Sequence, residues 1–109
     1  MSGNPTPSET EESLTNACEP EELEAATKDI DDLYVAITGD TCNVCAHFRD
    51  EVEKGDFPIP VLDISAESCP RLADHYKVRV VPTVMRMKRG QVVQTYEGLD
   101  ALEKMRRGE

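Results

Sequence analysis

The sequence predicts an α/β domain with a mixed central sheet and helices on both faces. Helix-type and strand-type patterns alternate through most of the chain, which implies parallel strands joined by helical crossovers. The last two strand-like runs are separated only by Lys88-Arg89-Gly90-Gln91, a Gly-containing link short enough for an antiparallel hairpin. A third observation locates the chemistry. Cys42 and Cys45 stand two residues apart where an apolar run turns into a helix.

Residues 1–16, polar and rich in Pro, Ser, Thr and Glu, are expected to form a disordered acidic tail, with the folded domain over 17–109. The first helix has Pro20 near its first turn, where a missing N–H leaves nothing unpaired. Glu21, Glu22 and Glu24 suit the positive end of its dipole. Leu23, Ala26 or Thr27, and Ile30 supply its apolar stripe. Leu33-Tyr34-Val35-Ala36-Ile37-Thr38 reads as a buried strand, and Gly39-Asp40-Thr41 as the loop delivering Cys42.

The next helix, read over Cys45 to Lys54, buries Cys45, Phe48 and Val52 and stops at Gly55. Pro58 and Pro60 bracket the approach to a strand at Val61–Ile64. A third helix begins near Pro70 with Leu72, Ala73 and Tyr76. The hairpin strands are Thr83–Met87 and Val92–Tyr96. A last helix, about 99–107, points Leu99, Leu102 and Met105 inward and gathers Lys104, Arg106 and Arg107 toward its C-terminus.

A chain of 109 residues makes one domain with a single modest core. It has no run of about 18 apolar residues, so no membrane span is expected. Its start has neither the basic beginning nor the apolar centre of a secretory signal, so a cytoplasmic location is expected. In that compartment a CxxC is catalytic or metal-binding more often than structural. The net charge of −10 is uneven: residues 1–32 hold ten acids against one base, Lys28, and the rest is close to neutral. An acidic solubilising segment explains this, and docking on a basic partner is the alternative. No basic stripe with interleaved aromatics favours nucleic acid.

A CxxC at a strand-to-helix junction is a redox arrangement, because a helix N-terminus stabilises a thiolate. Cys42-Asn43-Val44-Cys45 opens a helix and Val81-Pro82-Thr83 opens the hairpin; in this order of elements the chain resembles the thioredoxin family over residues ~20–107. The segment from Cys69 to Pro82 is similar to that family's third helix and cis-proline loop. Gly90 and Gly98 fall at its hairpin and post-strand glycines.

The resemblance implies a thioredoxin-like fold with a four- or five-stranded sheet, the family's first strand being absent or very short here. It also implies a thiol–disulfide oxidoreductase acting on protein disulfides. Cys42 would attack as nucleophile and Cys45 would resolve the mixed disulfide. Val81 and Pro82, joined by a cis peptide, would orient an extended substrate alongside Thr41, and the proline ring would keep metal ions from the thiols. A partner reductase would supply electrons, since no nucleotide fingerprint such as GxGxxG is present. No cofactor or metal is expected, and the chain is expected to be a monomer.

The chain departs from the family pattern in three ways. Thr41 stands in place of a tryptophan, and Asn43-Val44 in place of Gly-Pro. Ala36 stands where thioredoxins bury a carboxylate, and Asp63 where they carry a partner lysine. Asp63 is therefore expected to supply a displaced carboxylate that helps deprotonate Cys45; the alternative is a strand residue facing solvent.

Three rival functions stay open. They are a glutaredoxin-type enzyme using glutathione, a non-catalytic binding module docking through its acidic segment, and a cysteine-based metal handler. Glutaredoxins usually show a Gly-Gly pair after the hairpin, and only Gly98 is present.

Cys18 precedes the first helix and Cys69 the third. In the resembled topology both helices lie on one face of the sheet and start at the edge carrying the active site, so the two can approach. Two free thiols, a Cys18–Cys69 disulfide, and a zinc site shared with Cys42 and Cys45 are the three readings; only the CxxC pair has ligand spacing. His47 and His75 read as surface residues, Met85, Met87 and Met105 as core or hairpin faces, and Lys88-Arg89 as a solvated hairpin tip.

Overall fold

The computed structural model describes residues 18–55 and 57–109. The tail read over 1–16 lies outside the described residues. The elements in order are α1 (Pro20–Thr27), β1 (Leu33–Thr38), α2 (Asn43–Glu53), β2 (Val61–Ser65), α3 (Pro70–His75), β3 (Thr83–Lys88), β4 (Gln91–Glu97) and α4 (Asp100–Arg106). The four strands form one sheet in the order β2-β1-β3-β4. β2 runs parallel to β1, while β3 is antiparallel to both β1 and β4.

The sheet is covered on both sides, and β1 shows why. All six of its residues are buried, as a central strand between two layers requires. Leu33, Val35 and Ile37 pack with Leu23 of α1, Leu72 at α3, and Met85 and Met87 of β3. Tyr34 and Ala36 pack on the opposite face with Phe48 of α2, Val84, and Ala101, Leu102 and Met105 of α4. Helices α1 and α3 therefore lie on one face, α2 and α4 on the other.

Local chemistry sets the element ends. A capping box closes the start of α1, where the Glu19 N–H donates to the Glu22 carboxylate at 3.2 Å. The β3–β4 turn shrinks to Arg89 and Gly90, with φ of 50° and 84°. Positive φ at both turn residues is the geometry that matches strand twist in a two-residue hairpin. A Cβ on Gly90 would come within 2.9 Å of the Glu24 carbonyl oxygen, so the turn is also pressed against α1.

Three assignments change. Ile30, read into the stripe of the first helix, lies three residues past the end of α1 and packs on the same core from the loop. Leu99 is 38% exposed because it stands at the N-cap of α4, and Ala101 takes its inward place. Tyr76 lies just past α3 as its C-cap, although it still packs on the α1–α3 side of the core. No helix among the described residues is long and apolar enough to cross a membrane.

The β1 end, the start of α2 and the start of β3 meet at one end of the sheet. Ile37 pairs with Thr83, so the residues just after β1 lie beside those just before β3.

Candidate active site

Cys42 is the N-cap of α2, with extended backbone (φ −94°, ψ 115°), and its Sγ accepts the Cys45 N–H at 3.1 Å. Serine or aspartate usually does this work. A sulfur in the same position has its anionic form stabilised by the helix end. The Cys42 thiol is held below the ordinary range chiefly by its hydrogen bond with the Cys45 thiol. The Cys45 and Val44 N–H groups and the Arg49 cation add to this, while desolvation opposes them.

Cys45 lies one turn further on and is fully buried. Burial first, then its hydrogen bond with Cys42, pushes its thiol up to about 11. The Gly39 N–H donates to its Sγ at 3.3 Å and works the other way. The pair is thus asymmetric, with a partly exposed, acidified sulfur above a buried, protonated one. Both are free thiols in this structure.

The opposite wall is the loop before β3. The Val81–Pro82 peptide is cis, and the Val81 carbonyl accepts from Cys42 Sγ at 3.9 Å. Pro82 is buried, Val81 half-buried and Thr41 exposed. The loop is tied at both ends. Thr83 Oγ1 donates to the Val80 carbonyl at 2.6 Å, and the Gly98 N–H donates to the Pro82 carbonyl at 2.8 Å. Val44 and Val80 are exposed on the two motif segments, 43% and 46%. The loop carrying Cys42 is pinned as well: the Asp40 N–H donates to the Glu67 carboxylate at 2.7 Å, and Ser65 Oγ donates to the Asp40 carboxylate at 3.0 Å.

Asp63 comes to this end of the sheet with both carboxylate oxygens engaged. Thr38 Oγ1 donates to one at 2.7 Å and Arg49 Nε to the other at 3.0 Å. Its link to Cys45 runs through Arg49 and Gly39. Arg49 and Gly39 are the site residues that sequence reasoning missed. The four-residue spacing from Cys45 to Arg49, which puts both on one helix face, was the signal for the first.

The structure brings Cys18 and Cys69 together as a disulfide, with sulfurs 1.97 Å and Cα atoms 4.8 Å apart. That bond takes both out of a four-cysteine zinc set. Among the described residues no group of three or more His, Cys, Asp or Glu is arranged to hold a metal ion. His47 and His75 are exposed, and Met85, Met87 and Met105 are buried.

Solved structures that share this fold include several thioredoxins. Mitochondrial thioredoxin 3 of Saccharomyces cerevisiae, in its oxidised form, superposes with a TM-score of 0.74 at 22% identity, covering 92% of this chain and 99% of that one. The thioredoxin of Fasciola hepatica gives 0.71 at 19% identity, over 85% and 97% of the two chains. A point mutant of the Halobacterium salinarum thioredoxin gives 0.68 at 29% identity, over 81% and 82%. The thioredoxin family model matches residues 15–108. That match takes in both motifs and all four strands, and the chain accordingly belongs to the thioredoxin family.

Proposed function

We propose that this protein is a thiol–disulfide oxidoreductase that reduces protein disulfides by a dithiol mechanism. Thioredoxins are in general oxidoreductases acting on disulfide substrates with reductase partners. The observation that carries the finer reading is the asymmetry of the cysteine pair.

The acidified, accessible sulfur of Cys42 is suited to attack. Its thiolate displaces one sulfur of the substrate disulfide, which leaves as a thiolate and takes up a proton. The other substrate sulfur stays bonded to Cys42. Cys45 then gives its proton to water and attacks Cys42 Sγ. The mixed disulfide breaks, the second substrate thiolate departs, and a Cys42–Cys45 disulfide remains. Two electrons have passed to the substrate, and a reductase partner returns them. A monomeric protein in a cytosolic setting belongs to the same proposal, a setting in which a disulfide such as Cys18–Cys69 is uncommon outside hyperthermophiles.

The exposed Val44 and Val80, with the Val81 backbone between Cys42 and Pro82, offer an apolar rim for an extended segment. This rim needs no tryptophan at position 41.

The test is turnover of a disulfide-bonded protein with dithiothreitol as donor. Cys42→Ser is expected to lower the rate by on the order of 10³ or more, the loss typical of a missing nucleophile. Cys45→Ser is expected to accumulate a mixed disulfide through Cys42, visible by mass spectrometry. A Cys42→Ser protein that turns over as the wild type does would reject the mechanism and favour a binding module.

A further inference from the structure

We propose that Arg49 is a positioning residue for the resolving step, holding Gly39 against Cys45 and placing a permanent positive charge beside the buried sulfur. The inference rests on the dithiol reading above.

The geometry is a closed set of contacts among three elements. Arg49 projects from α2 one turn beyond Cys45. Its Nε donates to Asp63 of β2 at 3.0 Å, and its Nη2 donates to Thr38 Oγ1 of β1 at 2.7 Å. Thr38 completes the ring by donating to the other Asp63 oxygen at 2.7 Å. Thr38 is fully buried, and its hydroxyl both accepts and donates here. The planar guanidinium is therefore held from two sides, as a point-charge ammonium would not be. From that position Nη2 also donates to the Gly39 carbonyl at 3.3 Å. The same glycine presents its N–H to Cys45 Sγ at 3.3 Å.

A guanidinium does not deprotonate in proteins, so Arg49 cannot take the Cys45 proton. What it can do is favour the thiolate once the proton has gone to water. The charged groups that the contacts place around Gly39 and Cys45 are Asp40 and Glu67 from loops, Asp63 from β2 and Arg49 from α2. Three of these are acids, all at exposed positions, and Asp63 is already ion-paired with Arg49. Against the burial that chiefly raises the Cys45 thiol, the Gly39 N–H lowers it first and the Arg49 charge adds to that. Asp63 then acts as the anchor of Arg49 and not as a base. Asp63 stands three hydrogen bonds from the sulfur, through Arg49 and Gly39, whereas an anchored cation needs only proximity.

The test uses the whole chain with Cys42 and Cys45 reduced and the Cys18–Cys69 disulfide intact, and an aromatic disulfide that releases a coloured thiolate at each step. The first release reports attack by Cys42, and the second reports resolution by Cys45. Arg49→Gln is expected to displace the pH–rate line of the second release so that, at a given pH, it runs about tenfold slower, the equivalent of one unit in the thiol's titration. Arg49→Lys keeps the charge without the fork and is expected to recover part of that loss. Asp63→Asn keeps the cation and should give a smaller loss than Arg49→Gln.

The proposal is overturned if Arg49→Gln, folded by circular dichroism, resolves within twofold of the wild type across the pH range. It is also overturned if Asp63→Asn slows the second release more than Arg49→Gln does, because the carboxylate would then be acting directly. A wild-type protein that shows no second release at all removes the dithiol reading itself, which is a different result.

Discussion

A cysteine at an N-cap accepts a backbone N–H as serine would, but its acceptor can also ionise at neutral pH. Cys42 is held below the ordinary value of 9.0, so at pH 7 it carries more thiolate than a free cysteine. Alkylation of the reduced protein by iodoacetamide should therefore label Cys42 and spare Cys45. Its rate should fall about tenfold per pH unit only below a midpoint that lies under 9.0. Mass spectrometry of the labelled peptides checks this, and a midpoint at or above 9.0 would contradict the acidification of Cys42 by the Cys45 thiol and the helix-end N–H groups. The two cysteines were legible in the sequence because their spacing is local and the helix start follows from the pattern. Arg49 was not. Its partners Asp63 and Thr38 lie 14 and 11 residues away on two strands, and only the parallel register that sets Ala36 beside Asp63 brings them together.

At the scale of elements, alternation and turn chemistry gave the order of strands and helices with ends displaced by one to three residues, the most at the end of α1. The largest surprise was the hairpin. Its strands extend to Lys88 and Gln91 because Arg89 and Gly90 both take positive φ, which no hydrophobic pattern encodes. Leu99 was misplaced for a related reason, since periodicity cannot tell a cap from the first inward position. Gly90 yields a quantitative expectation. Gly90→Ala meets two penalties, a left-handed backbone and a Cβ 2.9 Å from the Glu24 carbonyl oxygen. Gly55→Ala meets only the first, since φ is +74° and nothing among the described residues lies within 4 Å. The left-handed term costs about 1–2 kcal/mol, so both variants should lose stability and Gly90→Ala should lose more. Urea midpoints at unchanged m-value would measure the difference. Equal losses would mean that α1 yields to the turn.

At the scale of the molecule, the Cys18–Cys69 bond joins the entry of α1 to the N-cap of α3 across one face of the sheet. The closed segment spans a sequence separation of 51 and contains α1, β1, α2 and β2. Cross-linking so long a loop restricts the unfolded chain and is worth roughly 2–4 kcal/mol. In a domain of this size that corresponds to a Tm change on the order of 10 °C or more. The effect belongs to global stability, because Cys69 packs in the α1–α3 core cluster while Cys45 and Cys42 sit at the start of α2. A protein with Cys42 and Cys45 both replaced by Ser isolates this pair, so that a reductant acts on Cys18–Cys69 alone. Its Tm should drop by that amount on reduction, and adding Cys18→Ser should lower it equally in the absence of reductant. In the chain with Cys42 and Cys45 intact, Cys18→Ser should leave the first thiolate release by Cys42 close to the wild-type rate below the new Tm. A Tm indifferent to both reductant and Cys18→Ser would mean the bond does not form in solution. A drop in Tm accompanied by loss of Cys42 reactivity would mean that the bond also holds the β2–α3 loop, where Glu67 grips the Asp40 N–H beside the site.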